Sequence, residues 1–282
     1  MSTAASEQVE AGGWRFLLTP EASRFSSEQR RRLIEIAYGA AAGSGVGPIR
    51  RSRHAASYRA ELSAGGSPET DVFIKVLDPP HGAGALKRWF RPSHVAHLVA
   101  ITAALNRDGF ETPPILLFGR EAATRREIIA TVRARGTLLP RNFAVRPEML
   151  ARKRAMLREL GATVARMHRV GYIHGDLTPY NVFVANDADP HFIFIDHERT
   201  RRTFLSHLER PRMRNLVQLG RFELRGLSRT DRMRVLHGYA GAMRARKLRA
   251  LRRRVARLLA SRMERDYASA ERIKAATVAV VK

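Results

Sequence analysis

Residues 172–184 read Tyr172-Ile173-His174-Gly175-Asp176-Leu177-Thr178-Pro179-Tyr180-Asn181-Val182-Phe183-Val184, and residues 192–196 read Phe192-Ile193-Phe194-Ile195-Asp196. The first stretch has the spacing His-x-Asp-x-x-x-x-Asn and continues into an apolar strand, and the second is an apolar strand that ends in aspartate. Turn-forming residues at positions 185–190 separate the two strands, which is typical of a β-hairpin. Because a hairpin folds back on itself, we expect Asp196 to lie beside Asn181.

Each polar residue of this pattern has a use in phosphoryl transfer. Asp176 would accept a hydrogen bond from an attacking hydroxyl and orient it, with His174 in the same loop, while Asn181 and Asp196 would supply hard oxygen ligands to Mg²⁺. The spacing also arises by chance in turns, and the ordered set of helix, loop, hairpin and terminal aspartate favours chemistry. We therefore predict Asp176 and His174 as catalytic residues, and Asn181 and Asp196 as metal-binding residues.

The residues around this stretch predict an α+β chain of two lobes. Short apolar runs at 49–50, 57–62, 71–77, 115–118 and 128–132 predict strands, with a helix at 93–106 inserted after the third strand. Helical periodicity dominates beyond residue 133, beginning with a long amphipathic helix at 147–169. We predict a disordered extension at 1–12, a strand-rich N-lobe at 13–133 that covers a nucleotide, and a helical C-lobe at 134–282 with the catalytic loop, the metal site and basic C-terminal helices.

The N-lobe contains candidate nucleotide-binding residues. Lys75 lies on an apolar strand upstream of the loop, where a kinase places the lysine that grips the nucleotide phosphates. Taken alone, it also fits a solvent-facing lysine on an edge strand. No Gly-x-Gly-x-x-Gly lies between the first two predicted strands, and we expect Arg51, Ser52 or Arg53 of that loop to cover the phosphates instead.

The charge balance limits the choice of partner. The chain has 51 Lys and Arg against 26 Asp and Glu, a formal net charge of +25, and it has no cysteine. Such a field attracts nucleic acid, anionic lipid headgroups or phosphorylated glycans alike, and the absence of cysteine excludes a disulfide framework and a thiolate metal site. With no long apolar run and no secretory pattern at the N-terminus, we expect a cytoplasmic protein.

The C-terminal region predicts a basic amphipathic helix at 243–263. We expect its apolar face to pack on the C-lobe and its arginine face to be solvated, in preference to membrane insertion. Such a basic surface could still hold the protein peripherally at the anionic inner face of the cell membrane.

The chain resembles the lipopolysaccharide kinase (Kdo/WaaP) family over about residues 46–239. The resemblance rests on Val72 to Val76, Arg91-Pro92-Ser93, Pro113-Pro114, His174 to Asn181, Ile195-Asp196 and Arg214 to Leu219. It implies a protein-kinase-like bilobal fold, the cofactors ATP and Mg²⁺, and phosphorylation of a sugar hydroxyl of the lipopolysaccharide inner core, either Kdo or heptose. The substrate would be an anionic glycolipid or sugar. We do not expect nucleic acid as the partner, and the sequence does not indicate an oligomeric state.

Some positions depart from the pattern of regulated protein kinases. The usual Asp-Phe-Gly is replaced by Asp196-His197-Glu198, and no Ala-Pro-Glu element follows it, which favours a small-molecule or glycan kinase over a protein kinase. The predicted helix at 93–106 contains no Asp or Glu that could pair with Lys75.

Two other functions fit the same residues. The first is another small-molecule phosphotransferase of this fold, since His-Gly-Asp and Ile-Asp-x-Glu also resemble aminoglycoside and choline kinases. Those acceptors are cationic, however, and suit this basic chain poorly. The second is a non-catalytic kinase-like module that binds anionic membrane or nucleic acid, a reading that the missing helix carboxylate and glycine loop favour.

Overall fold

The computed structural model describes residues 7–44, 47–52, 55–63, 69–79, 94–185, 189–204, 209–243, 250–251, 253–262 and 264–265. The chain divides into two compact units, residues 1–134 and residues 135–282. All described strand pairs are antiparallel, and helices occur in both units, so the chain has α+β architecture.

The first unit is built on an antiparallel sheet. Its described strands are β1 (Glu7–Ala11), β2 (Trp14–Leu18), β3 (Arg50–Arg51), β4 (Ala55–Leu62), β5 (Thr70–Leu77), β6 (Ile115–Glu121) and β7 (Glu127–Val132). They pair in the order β1-β2-β6-β7-β5-β4-β3. The predicted strands are all present, with ends that differ by a few residues.

The strands β1 and β2 correct the prediction of a disordered extension at 1–12. Residues 7–11 pair along their whole length with Trp14–Leu18. Gly12 and Gly13 both have positive φ angles, of 55° and 81°, which a two-residue hairpin turn of this kind requires. Trp14 is buried in the core of the unit, and its burial anchors the hairpin to the sheet. Residues 1–6 lie outside the described residues.

One helix covers the core face of this sheet. Helix α1 (Ser27–Ala42) begins with a capping box, in which Ser26 accepts from the Gln29 N–H and Gln29 in turn accepts from the Ser26 N–H, and it ends at Gly43 in the left-handed conformation. Leu33 of α1 packs with the alternate, inward-facing residues of β5, which are fully buried. The alternation along β5 directs Lys75 to the opposite face of the sheet.

Helix α2 (His94–Arg107) agrees with the predicted helix at 93–106 to within one residue at its C-terminal end, and it contains no Asp or Glu. It ends at Asp108-Gly109, where Gly109 has φ of 81° and the Phe110 N–H donates to the Leu105 carbonyl. Residue 93, the first residue of the predicted helix, lies outside the described residues.

The second unit is mainly helical. Its described strands, and its described α-helices up to residue 242, are β8 (Thr137–Leu138), α3 (Leu150–Arg169), β9 (Tyr172–Ile173), β10 (Val182–Ala185), β11 (His191–Phe194), β12 (Arg201–Arg202), α4 (Glu209–Gly220) and α5 (Arg229–Ala242). The strands β10 and β11 form the predicted hairpin, β8 pairs with β10, and β12 pairs with β9.

Helices α3 and α5 pack closely because glycines lie at their contact. A methyl group at Gly161 would collide with the Val235 carbonyl oxygen, and one at Gly238 would collide with the Arg158 carbonyl oxygen. A buried ion pair joins the same helices, since Lys153 Nζ lies 2.7 Å from Asp231. Burial alone would raise the pKa of Asp231, but the hydrogen bonds from Lys153 and Ser228 lower it to about 2.

The predicted basic helix at 243–263 is confirmed in its described residues, except at its first position. Met243 is the C-cap of α5, residues 244–249 lie outside the described residues, and the described residues from 250 to 265 are helical. Val255 is buried, and the Leu259 methyl groups lie against Gly220 at the end of α4. The apolar face therefore packs on the unit, while Arg253 and Arg257 are exposed. No described helix combines the length and the apolar character needed to cross a bilayer.

Candidate active site

The loop between β9 and β10 is held by consecutive tight turns. The Thr178 N–H donates to the Asp176 carbonyl at 2.8 Å, and the Asn181 N–H donates to the Thr178 carbonyl at 3.0 Å. Gly175 has φ of 78°, and a side chain there would collide with the Arg199 carbonyl oxygen. The His-Gly-Asp sequence therefore requires glycine at its centre, because only glycine tolerates both the conformation and the close approach.

The hairpin brings Asn181 to the base of β11. The Ile195 N–H donates to the Asn181 carbonyl at 3.0 Å, so the residue before Asp196 lies directly across from Asn181. The Asn181 Nδ2 donates to the Asp176 carbonyl at 2.9 Å and lies 3.5 Å from Asp176 Oδ2. Asn181 thus joins the start of the loop to its end, with the amide nitrogen facing Asp176.

Asp196 adopts an unusual backbone conformation. It is one of two described non-glycine residues with positive φ, at φ 65° and ψ 57°, and the residue is exposed to solvent. Aspartate tolerates the left-handed region better than most residues, yet such a conformation still costs about 1 kcal/mol. The following residues hold it: the His197 ring is buried, with Nε2 2.9 Å from the Phe194 carbonyl and Nδ1 3.0 Å from Thr200 Oγ1.

His174 is buried beneath the loop. Its Nε2 donates to the Ile195 carbonyl at 3.0 Å, and the Thr200 hydroxyl donates to the His174 carbonyl. Burial lowers the pKa of His174, against the opposing influence of the Asp196 and Asp176 carboxylates. The hydrogen bond from the His174 ring joins the loop to Ile195, the residue that precedes Asp196. His174 therefore helps to position the Asp176 and Asp196 carboxylates.

A buried chain of side-chain amides on α4 supports the loop from the other side. Asn215 Oδ1 accepts the His174 N–H at 3.1 Å, which fixes its amide orientation, so Nδ2 donates to Gln218 Oε1 at 3.0 Å. Gln218 Oε1 also accepts the Leu177 N–H, and its Nε2 donates to the Gly175 carbonyl at 3.0 Å and approaches Asp176 Oδ1 at 3.5 Å. The two side chains bond to the backbone of His174, Gly175 and Leu177, and Gln218 also approaches the Asp176 carboxylate.

The chain of hydrogen bonds continues to α3 and α5. His168 Nε2 lies 3.1 Å from Asn215 Oδ1, and because that oxygen can only accept, Nε2 carries the proton. The Tyr239 hydroxyl must then donate to His168 Nδ1, 3.0 Å away. Burial lowers the pKa of His168 to about 4 and raises the pKa of Tyr239 to about 12, so both groups are neutral near pH 7.

The residues that sequence reasoning missed are Asn215, Gln218, His168 and Tyr239. A signal was present for the first two, because Asn215 directly precedes the apolar run Leu216 to Leu219 and Gln218, about one helical turn later, interrupts it. A polar residue inside an apolar helix face needs a buried partner. That partner comes from a distant part of the chain, and it cannot be identified from the sequence alone.

The donor set fits a divalent cation. Asn181 offers Oδ1, since its nitrogen faces Asp176, and Asp196 offers a carboxylate, and Mg²⁺ prefers hard oxygen ligands of this kind. Among the described residues, no three His, Cys, Asp or Glu side chains gather into a metal site. A cation here would therefore take its remaining ligands from phosphate and water, as Mg²⁺ does with nucleotides.

The predicted phosphate-binding residues lie in the sheet unit. Lys75 is half-buried on β5 and lies across from Ser57 of β4 and Ile129 of β7. Since β5 has neighbours on both sides, the alternative of a lysine on an edge strand is wrong. Arg51, the last residue of β3, is exposed, and Ser52 Oγ in the turn to β4 accepts from the Ala55 N–H. Arg53 lies outside the described residues.

The surroundings of the loop are cationic. Arg201 and Arg202 of β12 pair with Ile173 and Tyr172, directly before His174, and both arginines are exposed. Such side chains attract negatively charged groups.

A comparison with known protein families gives a match over part of the chain. The sequence model of the family described as "Lipopolysaccharide kinase (Kdo/WaaP) family" matches residues 100–239, which include the loop, the hairpin and both α4 amides. Over this segment the chain belongs to that family. It is therefore a phosphotransferase with a hydroxyl group as acceptor, and a kinase of the lipopolysaccharide core. A search among curated proteins gives no match.

Membership has consequences for cofactor and substrate. A lipopolysaccharide kinase uses ATP, typically with a divalent metal ion, and acts on a sugar or a glycolipid. The Asn181 and Asp196 oxygens suit such a metal ion, because divalent cations such as Mg²⁺ prefer hard oxygen ligands.

Proposed function

We propose that this kinase transfers the terminal phosphate of ATP to a sugar hydroxyl of the lipopolysaccharide inner core, either on Kdo or on heptose. The observation that carries the proposal is the convergence of Asp176, Asn181 and Asp196 at the base of one hairpin. The Ile195 and Asn181 hydrogen bonds hold these residues together. Every member of the set has a distinct role in phosphoryl transfer.

In the proposed reaction, Asp176 accepts the proton of the attacking hydroxyl. The sugar oxygen forms a bond to the terminal phosphorus, the bond between that phosphorus and the bridging oxygen breaks, and ADP leaves with the electron pair. Asn181 and Asp196 would hold Mg²⁺, which supplies charge neutralisation on the phosphates when bound. Gln218 holds the Asp176 carboxylate in position, and His174 holds the loop against the end of the hairpin.

The nucleotide side of the proposal rests on the first unit. We assign Lys75 to the nucleotide phosphates because it stands on a central strand with its side chain half-buried. Arg51 and Arg53 would add positive charge over the phosphates, and Ser52 keeps the turn between them closed. We also propose that residues 13–133 and 134–282 are the N-lobe and C-lobe of a protein-kinase-like bilobal fold. The sheet-rich first unit and the helical second unit support this assignment.

The charge distribution supports an anionic acceptor and a peripheral location. The net charge of +25 and the exposed Arg253 and Arg257 would attract the enzyme to an anionic surface. Each basic residue near such a surface contributes about 1 kcal/mol. Because the apolar Val255 is buried in the unit, the attachment would be electrostatic, at the cytoplasmic face of the inner membrane. Co-sedimentation with anionic vesicles that disappears at high salt would support this attachment, and equal sedimentation with neutral vesicles would refute it.

The test of the proposed function is a product analysis. Purified protein is incubated with ATP, Mg²⁺ and lipid A that carries Kdo alone or Kdo with heptose, and the products are analysed by mass spectrometry. A gain of one phosphate on a sugar fragment is the expected result, and fragmentation identifies which sugar bears it. If neither acceptor gains phosphate while the protein still binds ATP, the inner-core assignment is wrong.

A further inference from the structure

One aromatic side chain of the loop is turned outward. Residues Leu177 to Pro179 are buried, whereas the next residue, Tyr180, is 48% exposed. It lies between Asp176 and Asn181, in the part of the loop that the tight turns keep compact. Exposing a large aromatic ring forfeits the stabilisation that its burial would give, so this orientation calls for a reason other than folding.

The Tyr180 ring is held in place by the segment that follows α4. The Phe222 ring packs edge-on against it, with 5.7 Å between centroids and an interplanar angle of 87°. The segment that carries Phe222 is itself fixed, because Arg232 donates from Nε to the Gly220 carbonyl and from Nη2 to the Phe222 carbonyl, both at 2.8 Å. The exposed aromatic surface is therefore prearranged.

A positive charge adjoins the same rings. The Arg221 guanidinium lies over the Phe222 ring, 4.7 Å from its centroid. Arg221 directly follows α4, the helix whose Gln218 reaches the Asp176 carboxylate. The aromatic pair and the guanidinium thus stand on the two segments that hold Asp176, one of them the catalytic loop itself.

We propose that Tyr180, Phe222 and Arg221 form an acceptor-binding platform, defined by these three residues, for a pyranose that bears a carboxylate or a phosphate. The apolar face of the sugar ring stacks on Tyr180, which Phe222 buttresses, and Arg221 attracts the anionic group. Aromatic faces contact apolar ring surfaces well, and guanidinium groups suit carboxylates and phosphates. This inference rests on the proposed function, because it supplies the binding surface for the hydroxyl that Asp176 orients.

The test separates acceptor binding from chemistry. The probe is the soluble core oligosaccharide obtained by deacylating Kdo-bearing lipid A, used with its carboxylates intact or reduced to alcohols. For Tyr180→Ala we expect the KM for the acceptor to rise about tenfold, with the KM for ATP unchanged. Tyr180→Phe keeps the ring and should restore the wild-type value. For Arg221→Gln we expect a rise with the intact acceptor and a much smaller one with the reduced acceptor.

A matched control comes from another exposed aromatic of the same unit. Phe204 is 83% exposed, and it follows Thr203, whose N–H pairs with Gly171 at the end of β9 away from the loop. Phe204→Ala should leave the acceptor KM unchanged. If Phe204→Ala and Tyr180→Ala have the same effect, or if Tyr180→Ala changes only kcat, the platform is refuted.

Direct binding distinguishes failure of the platform from failure of the proposed function. Calorimetric titration of the same oligosaccharide needs no phosphoryl transfer. Binding that weakens about tenfold in Tyr180→Ala supports the platform even if no product forms, whereas transfer in the wild type with unchanged binding in Tyr180→Ala refutes the platform alone. Wild-type protein that binds neither form of the oligosaccharide overturns the platform as a site for anionic pyranoses.

Discussion

Replacing Asn215 by alanine should strongly destabilise the second unit. Asn215 is fully buried, and its amide makes hydrogen bonds with His174, His168 and Gln218. In Asn215→Ala, the His174 N–H and the His168 Nε2–H lose their acceptor in an interior that excludes water. Each orphaned buried donor costs roughly 1–3 kcal/mol, so we expect the free energy of unfolding to fall by about 4 kcal/mol.

The assay is urea unfolding followed by far-ultraviolet circular dichroism. This signal includes the second unit because α3, α4 and α5 lie in residues 135–282, although α1 and α2 of the first unit also contribute to it. Tryptophan fluorescence is less suitable, because both tryptophans, Trp14 and Trp89, belong to residues 1–134.

Two further variants make the test specific. Asn142→Ala removes two hydrogen bonds in the same unit, to Thr137 and Leu138, but at a half-buried site where water can replace them, and it should cost less than about 1 kcal/mol. Asn215→Asp keeps the acceptor oxygen, loses the donor to Gln218 and adds a buried charge, so we expect an intermediate loss. The reasoning is wrong if Asn215→Ala costs no more than Asn142→Ala.

Three other predictions follow from the same unit. Gly175→Ala should reduce both the rate of phosphoryl transfer and the free energy of unfolding, because the added methyl group would collide with a backbone carbonyl oxygen. Gly241→Ala should leave both quantities intact, because the space around Gly241 is open. Equal behaviour of the two variants would contradict the loop geometry. Lys153→Met should cost about 3 kcal/mol in thermal unfolding, because it removes a partner of the buried Asp231 carboxylate, and an unchanged melting temperature would argue against a structural ion pair. Burial lowers the pKa of His168 to about 4, so the unfolded chain binds a proton that the folded chain resists. His168 alone should therefore reduce the free energy of unfolding by roughly 3 kcal/mol as the pH drops from 6.5 toward 4, in addition to the contributions of the buried His174 and His197. His168→Gln should make this dependence less steep by about that amount in urea titrations at a series of pH values.

The hairpin and the loop were predictable because their signals are local. Apolar strands of period two, a turn-rich connection and a glycine inside His174-Gly175-Asp176 all act over a few residues, and the register that joins Asn181 to Ile195 follows from them. The capping box of α1 was predictable for the same reason, since Ser26 and Gln29 satisfy each other within one turn.

The hairpin of β1 and β2 was missed because its first strand is polar. Residues 7–11 are mostly exposed, and only Trp14, Phe16 and Leu18 of β2 show the alternation of a half-buried strand. Pairing with β6 buries β2, and β1 is then stabilised by pairing with β2. This long-range effect cannot be predicted from a short polar sequence.

The role of His174 was only partly predictable. The spacing places it in the loop, but burial of its ring and the bond to the Ile195 carbonyl depend on β11 returning beneath it. The amides that support the loop depend on the same tertiary arrangement, because α4 must lie against a loop some forty residues earlier in the chain. Polar residues on apolar helix faces are the signal that sequence reasoning can use in such cases.

The central claim is that Asp176 accepts the proton of the attacking sugar hydroxyl. The most direct measurement is the rate at which labelled phosphate moves from ATP to Kdo-bearing lipid A, for the wild type, Asp176→Asn and Asp189→Asn, an exposed aspartate of the β10–β11 turn. We expect Asp176→Asn to lose about 10²–10⁴-fold in rate with its free energy of unfolding unchanged, and Asp189→Asn to match the wild type. Transfer by Asp176→Asn at the wild-type rate would contradict the account.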